Sequence, residues 1–141
     1  MQADDIKKTL LEIGPDLFSR QGIDLAYLFG SANTGRYGPK SDIDIAVRFE
    51  KERPAMDYFR LTTPLETALQ KALDGRIDLT VLNLAPPLLR YEVVKKGLIL
   101  FAKDSERLGL FHIRVYRDYE DFCHAQDFHI RAMKKRLGVS G

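Results

Sequence analysis

Short apolar runs alternate with helical periodicity along this chain, and this alternation limits its fold more than any other feature. Each run is bounded by Gly, Pro, Ser or Asp, which is typical of strands. Between the runs, apolar residues recur every three or four positions, which is typical of helices. The runs are DLAYLF from Asp24, DIDIAVRF from Asp42, RIDLTVLN from Arg76 and LILFA after Gly97. The pattern predicts an α/β sheet with helices packed on it.

Glycine and proline mark the expected ends of the helices. A first helix should end near Gly22, and a second should begin near Pro64 and end at Gly75. A third begins at a proline and ends at a glycine within residues 86–97. Residues 104–138 contain no proline and keep an apolar stripe, which predicts a long terminal helix with room for one break.

Length and charge narrow the class of protein. With 141 residues, the chain has the size of about one domain, so we do not expect a second substrate domain. Its 22 Lys and Arg against 20 Asp and Glu give a net charge of +2. This charge is too small for a protein that binds nucleic acid by charge alone, and no direct nucleic-acid binding is expected.

Cysteine usage and the apolar runs indicate the compartment. Cys123 is the only cysteine, so the chain can form neither an internal disulfide nor a Cys-based zinc site. The first residues are acidic where an export signal carries positive charge. No apolar run approaches the roughly 20 residues that span a bilayer. We therefore expect a cytoplasmic protein without a membrane segment.

The segment over residues 28–47 carries the strongest chemical signal. A strand is followed by Gly30 and Ser31, by a gap of ten residues, and then by Asp42 and Asp44 at the start of the next strand. Glycine lets the backbone approach a ligand closely. A serine that opens a helical turn offers a hydroxyl and exposed N–H groups to phosphate oxygens. Gly30 and Ser31 are therefore candidates for anion binding.

Three carboxylates are expected to converge next to this turn. Asp42 and Asp44 are two residues apart, so a pleated strand points both to one face. Asp78 takes the same place on the third strand and joins them if the two strands are neighbours. Three ionised carboxylates repel one another unless hard cations neutralise them, and magnesium is the natural occupant. A pair of such ions beside a phosphate-holding turn predicts nucleotidyl transfer.

Other interpretations of the same residues are less specific. A lone Asp-x-Asp at a strand start is often only a solvent-facing edge. The spacing of Gly30 and Gly35 resembles half of a P-loop, but Arg36 and Tyr37 stand where that motif needs Lys and Ser or Thr. The order, spacing and facing of the three parts together favour the nucleotidyl-transfer site.

On Gly30-Ser31, the ten-residue gap and Asp42-x-Asp44, the chain resembles the nucleotidyltransferase superfamily related to DNA polymerase beta, and within it the minimal nucleotidyltransferases. The resemblance runs from the first helix to about residue 102. It implies a polymerase-beta-like nucleotidyltransferase domain over residues 1–102, with a short mixed sheet of about four strands flanked by helices. Residues 103–141 would form a long C-terminal helical extension of the same domain.

The short chain and its charged helical tail resemble the antitoxin member of HEPN/MNT toxin–antitoxin pairs. This resemblance implies Mg²⁺-dependent transfer of AMP from ATP to a tyrosine hydroxyl of a cognate HEPN ribonuclease toxin, with which the chain would form a hetero-oligomer. By motif position, Asp42 and Asp44 would hold two Mg²⁺ ions, and Asp78 would hold one and help deprotonate the acceptor. Gly30 and Ser31 would bind the triphosphate. The loop residues Arg36 and Lys40 are further candidates for phosphate contacts.

Two questions stay open at the level of sequence. The tail either packs on the chain's own core or docks a partner helix, and its aromatic content suits both. The chain is either an enzyme, a binding protein that neutralises a toxin without catalysis, or a nucleotidyltransferase for small molecules.

His124 and His129 are five apart and do not share a helix face, so no metal pair is expected there. The basic residues near the end of the tail suit the helix dipole without any ligand.

Overall fold

The computed structural model describes residues 1–139, which form one four-stranded sheet with helices on both faces. In chain order, the elements are α1 (Ala3–Arg20), β1 (Ile23–Phe29), α2 (Ser31–Thr34), β2 (Ile43–Phe49), α3 (Ala55–Leu73), β3 (Ile77–Val81), α4 (Pro87–Lys96), β4 (Leu98–Ala102) and α5 (Ser105–Leu137). The predicted α/β class, the four strands and the long terminal helix are confirmed.

The sheet is mixed, with strand order β3-β2-β1-β4. β1 lies antiparallel to both β2 and β4, whereas β2 and β3 are parallel. The end of β1 and the starts of β2 and β3 therefore meet at one edge of the sheet. This edge, called the carboxylate edge below, holds the motif residues.

One face of the sheet packs against α1 and α3. Alternate residues of β2 point to this side, as their spacing predicts, and Ile43, Ile45 and Val47 are fully buried there. The other residues of the same strand face α4 and α5, where Ala46 is also fully buried. The face that carries Asp44 is therefore covered by α4 and α5 at its middle, around Ala46.

The second long helix begins earlier than its proline predicts. We expected a start near Pro64, but α3 begins at Ala55 and contains Pro64 in its interior. Tyr58, in the first part of the helix, is 1% exposed and packs against Phe49 with ring centroids 5.5 Å apart. This burial holds the segment before the proline in helical conformation, although proline removes one backbone donor. A hydroxyl one position earlier, that of Thr63, donates to the carbonyl of Phe59 at 3.1 Å.

The terminal helix α5 is continuous from Ser105 to Leu137, without the break for which its sequence left room. Its first half packs on the body of the protein through Phe111 and Val115, which are 5% and 0% exposed. The ring of Tyr119 stacks on Tyr91 of α4 at 3.6 Å between centroids. After Phe122, every side chain that the structure describes is exposed. The helix thus packs on the core with one half and extends into solvent with the other.

Between residues 1 and 139, none of the helices combines the length and the apolar composition that a membrane-spanning helix needs.

Candidate active site

Asp44 lies at the centre of the carboxylate edge because of the register of three strands. It is paired with Phe29, the last residue of β1, on one side and with Asp78 of β3 on the other. β2 and β3 are parallel and in register, so the two carboxylates leave the sheet side by side on the same face. Asp44 is half-buried, whereas Asp78 on the edge strand is exposed. The predicted meeting of Asp44 and Asp78 is confirmed.

Gly30 packs directly on the carboxylate of Asp44. Its φ is +71°, in the left-handed region that disfavours residues with a Cβ. A Cβ at this position would collide with the Asp44 carboxylate oxygen. The backbone conformation and the position of the Asp44 carboxylate therefore both require glycine here.

The turn after Gly30 is anchored to the rest of the fold. The carbonyl of Gly30 accepts hydrogen bonds from the N–H groups of Asn33 and Thr34, both at 3.2 Å. The Asn33 side chain donates to the carbonyl of Lys96 at the end of α4, at 2.7 Å. Ser31 opens the turn directly after Gly30 and is half-buried. The Gly-Ser turn is thus held in place over the carboxylate edge.

Burial and neighbouring carboxylates both disfavour the charged form of Asp44. Burial raises the pKa of its carboxyl to about 6, and the adjacent charge and hydrogen bond of Asp78, together with the charge of Asp42, add to the rise. The carboxyl of Asp44 therefore retains its proton to a higher pH than an ordinary aspartate does. A bound cation would remove both the repulsion and the proton.

Asp42 is oriented differently from its motif partner. It precedes β2, is largely exposed, and forms an ion pair with Arg76, whose Nε lies 3.1 Å from Asp42 Oδ1. Arg76 also donates to the carbonyl of Lys40 at 2.9 Å and accepts, through its own carbonyl, the N–H of Ile43 at 2.8 Å. Over residues 1–139, no three His, Cys, Asp or Glu side chains are arranged as a preformed metal site. The convergence expected for all three carboxylates is therefore shown for Asp44 and Asp78 only.

Arg76 is a site residue that the sequence analysis missed. Its spacing in the sequence could have indicated it: Arg76 stands two residues before Asp78, just as Asp42 stands two residues before Asp44. Since the two strands run parallel in register, equal spacing brings Arg76 opposite Asp42. The arginine pairs with the carboxylate that lies farthest from the sheet.

The loop between α2 and β2 carries the remaining candidates. Arg36 and Lys40 are both exposed. The N–H of Arg36 donates to the carbonyl of Ser31 at 3.1 Å, which closes the turn. Within the described part of the chain, neither the Arg36 guanidinium nor the Lys40 amine pairs with a carboxylate. Both charges are therefore available to an anion.

The donor chemistry of this edge fits Mg²⁺. The ion prefers carboxylate oxygens and needs only one or two of them, with water and substrate phosphates completing its shell. Asp44 and Asp78 supply two adjacent carboxylates. The Asp42–Arg76 pair has side chains 46% and 73% exposed, and such pairs contribute only about 0–1 kcal/mol. Asp42 can therefore exchange Arg76 for a cation at small cost.

Comparison with protein families gives a match over most of the chain. The model of the family described as polymerase beta nucleotidyltransferase matches residues 13–106. This range contains the whole sheet, the Gly-Ser turn and the three carboxylates.

Individual relatives extend the match. A protein of Methanocaldococcus jannaschii named "Putative protein adenylyltransferase" is 29% identical over 98 residues, which cover 70% of this chain and 97% of that protein. A chain in the crystal structure of a toxin–antitoxin with AMP-PNP is 26% identical, with a TM-score of 0.64, over 93% of this chain and 94% of that one. A chain of a Shewanella oneidensis complex between a tri-AMPylated HEPN toxin and an MNT antitoxin shares the fold, with 24% identity, a TM-score of 0.59 and coverage of 93% and 94%.

Proposed function

Because this chain belongs to the polymerase beta nucleotidyltransferase family, we propose that it transfers AMP from ATP to a tyrosine hydroxyl of a cognate HEPN toxin. The observation that carries the proposal is the pair Asp44 and Asp78, held in register beneath the Gly30 turn. The similarity to a chain of a toxin–antitoxin complex with AMP-PNP covers nearly the full length of both chains, so it includes the tail. This coverage favours the antitoxin branch over other nucleotidyltransferases.

Asp42 and Asp44 would hold two Mg²⁺ ions, and Asp78 would hold one of them. When bound, the ions supply positive charge that stabilises the transferring phosphoryl group. The residues of the chain position the reactants around that charge. Gly30 and Ser31 bind the triphosphate, and Arg36 and Lys40 at the mouth of the site contact its outer phosphates.

The chemical step joins the tyrosine oxygen to the α-phosphorus of ATP. As this bond forms, the bond from the α-phosphorus to the bridging oxygen breaks, and pyrophosphate leaves. The proton of the hydroxyl passes to Asp78, which is exposed on the edge strand and accessible to a protein acceptor. Asp44, which is half-buried, is less accessible.

The test is the transfer of label from α-labelled ATP to the purified toxin. Asp44→Asn removes one charge from the edge while keeping the side-chain shape, and should reduce transfer by about 100-fold or more, because charge stabilisation in the transition state is lost. Asp16→Asn is the matched control: it makes the same substitution on α1, where Asp16 only pairs with the exposed Arg20. Transfer at the wild-type rate by the Asp44 variant would contradict the site assignment.

A second function, neutralisation by binding alone, is favoured by the exposed second half of α5. Phe128, Ile130 and Met133 are 75%, 48% and 48% exposed there, a surface that suits a protein partner. The two functions differ in stoichiometry. If catalysis neutralises the toxin, the wild-type protein neutralises it at less than one molar equivalent, and the Asp44→Asn variant does not. If binding alone suffices, both proteins need one equivalent.

A further inference from the structure

A cavity lies on the same face of the sheet as Asp44, but near the opposite end of the strands. It has a volume of about 430 Å³, within the range of small-molecule pockets, roughly 300–1,000 Å³. Its walls come from the ends of β2 and β3, from α4 and from the first half of α5. It is lined by five arginines and one acidic residue, namely Arg48, Arg90, Arg107, Arg114, Arg117 and Glu52. We call it the arginine cavity.

The cavity is separate from the carboxylate edge. Arg48 lies four residues after Asp44 on β2, which corresponds to about 13 Å along the strand. Ala46, which lies between them on the same face, is fully buried under α4 and α5. Along this strand, therefore, no groove connects the two places.

Two of the arginines are held from behind by a buried carboxylate. Asp24 is 0% exposed, and its oxygens lie 3.8 Å from Arg48 Nε and 3.6 Å from Arg107 Nη1. Arg107 is further engaged by Asp104 at 2.9 Å and by Glu50 at 3.0 Å. Its charge is therefore compensated within the protein. The Arg48 guanidinium lies 4.9 Å from the centre of the Phe111 ring, which fixes its plane.

Positive charge remains on the other arginines. Arg90 donates from Nε to the carbonyl of Leu82 at 2.8 Å and from Nη2 to that of Asn83 at 3.1 Å, so it is fixed by neutral acceptors. Arg114 and Arg117 are exposed and form no ion pair with any residue between 1 and 139. Glu52, the one carboxylate on the wall, is engaged by the Asn83 amide and the Tyr58 hydroxyl, both at 3.4 Å.

We propose that the arginine cavity binds a small phosphate monoester that carries an apolar or aromatic group, such as a nucleoside monophosphate. The guanidinium fork matches the geometry of phosphate oxygens. Apart from Asn83, the rest of the wall is apolar and consists of Leu82, Leu110, Phe111 and Ile113, which would contact the organic part of the ligand. The volume of about 430 Å³ suits a ligand of this size.

The probe is AMP, titrated calorimetrically into the full-length protein in EDTA, so that metal-dependent binding at the carboxylate edge is suppressed. We expect one saturable site. Arg114→Ala combined with Arg117→Ala should weaken AMP binding by about tenfold per arginine, since a hydrogen bond to a charged group is lost at each. Neither arginine supports the fold, because both side chains are exposed and without ion pairs in the described structure.

The matched control is Lys134→Ala combined with Lys135→Ala, which removes the same charge from the far end of α5. This variant, and Asp44→Asn, should bind AMP as the wild type does. The proposal fails if AMP does not bind, if the two double variants lose affinity equally, or if only Asp44→Asn loses it.

Four further probes identify the ligand class. Inorganic phosphate should bind more weakly than AMP, and adenosine should bind more weakly still. Equal affinity for phosphate and AMP would refute a role for the apolar wall. A short RNA or an acidic peptide that binds through Arg114 and Arg117 more tightly than AMP would overturn the assignment to a small molecule.

Discussion

At the scale of single residues, the site depends on a glycine more than its motif indicates. The sequence points to Gly30 because glycine lets a ligand approach the backbone. In the folded chain, the hydrogen that replaces its side chain faces Asp44, the central carboxylate of the edge. Gly30 thus sets the position of a side chain fourteen residues later as well as the shape of the turn.

Gly30→Ala should therefore impair both stability and transfer. The backbone conformation of Gly30, with φ +71° and ψ −155°, costs about 1–3 kcal/mol for a residue with a Cβ, and displacement of the Asp44 carboxylate adds to this cost. Gly22→Ala is the control: its φ is +76°, but no atom lies within 4 Å of the added Cβ. Chemical denaturation and AMP transfer, measured on both variants, separate the two effects. Equal losses of activity in the two variants would show that the contact with Asp44 is unimportant.

At the scale of elements, α5 has two halves with different roles. Its first half covers the sheet, since Phe111 and Val115 share a buried cluster with Leu25 and Tyr27. The second half, from residue 124 to Leu137, extends for about 21 Å at 1.5 Å per residue and has only exposed side chains. The alternatives left open by the sequence, packing and docking, thus apply to different parts of one helix.

Two truncations should separate these halves. A chain that ends after Cys123 keeps every buried residue of α5, so its melting temperature should stay within a few degrees of the wild type. It should lose toxin binding. A chain that ends after Lys103 lacks Phe111 and Val115, each worth about 1.5–3 kcal/mol of burial, and should melt early or aggregate. Calorimetry and toxin pull-down provide the two measurements, and full toxin modification by the first truncation would rule out docking through the second half.

At the scale of the whole molecule, a partly buried hydrogen bond joins the helical layer to the sheet. The hydroxyl of Tyr27 on β1 and Nε2 of His112 on α5 lie 2.8 Å apart, 85 positions from each other in the chain. Burial lowers the pKa of His112 below its ordinary value of 6.5 and raises that of Tyr27 above its ordinary range. Both groups are therefore neutral in the folded protein near pH 7.

This histidine should make stability depend on pH. Between its folded pKa and 6.5, the unfolded chain binds a proton that the folded chain does not, so the free energy of unfolding decreases as the pH falls through this window. His112→Gln should remove that part of the decrease. His124→Gln, on an exposed position of the same helix, should keep it. Thermal melts from pH 7.5 to 5.5 compare the wild type with the two variants. Because all three proteins share Asp44 and the other titrating groups, the contributions of those groups cancel in the comparison. If the melting temperature changed with pH equally in all three proteins, the effect of His112 would be excluded.

Much of the fold and part of the site follow from local pattern. The alternation of strands and helices and the Gly30-Ser31, Asp42-x-Asp44 spacing depend only on residues that are close in sequence. The start of α3 does not, because burial of Tyr58 against Phe49 outweighs the proline that marks a boundary locally. The sequence predicts that Asp44 and Asp78 meet only if their strands are neighbours. The sheet order shows that β2 and β3 are neighbours.

The sequence by itself determined the class of the fold and the residue types at the carboxylate edge. The tertiary structure alone decided that Asp42 pairs with Arg76, that Gly30 packs on Asp44, and that five arginines from β2, α4 and α5 share one cavity. The physical reason is distance along the chain. Periodicity reports the face on which a residue lies, whereas contacts between distant segments depend on strand register and on how helices pack, and no short stretch of sequence carries that information.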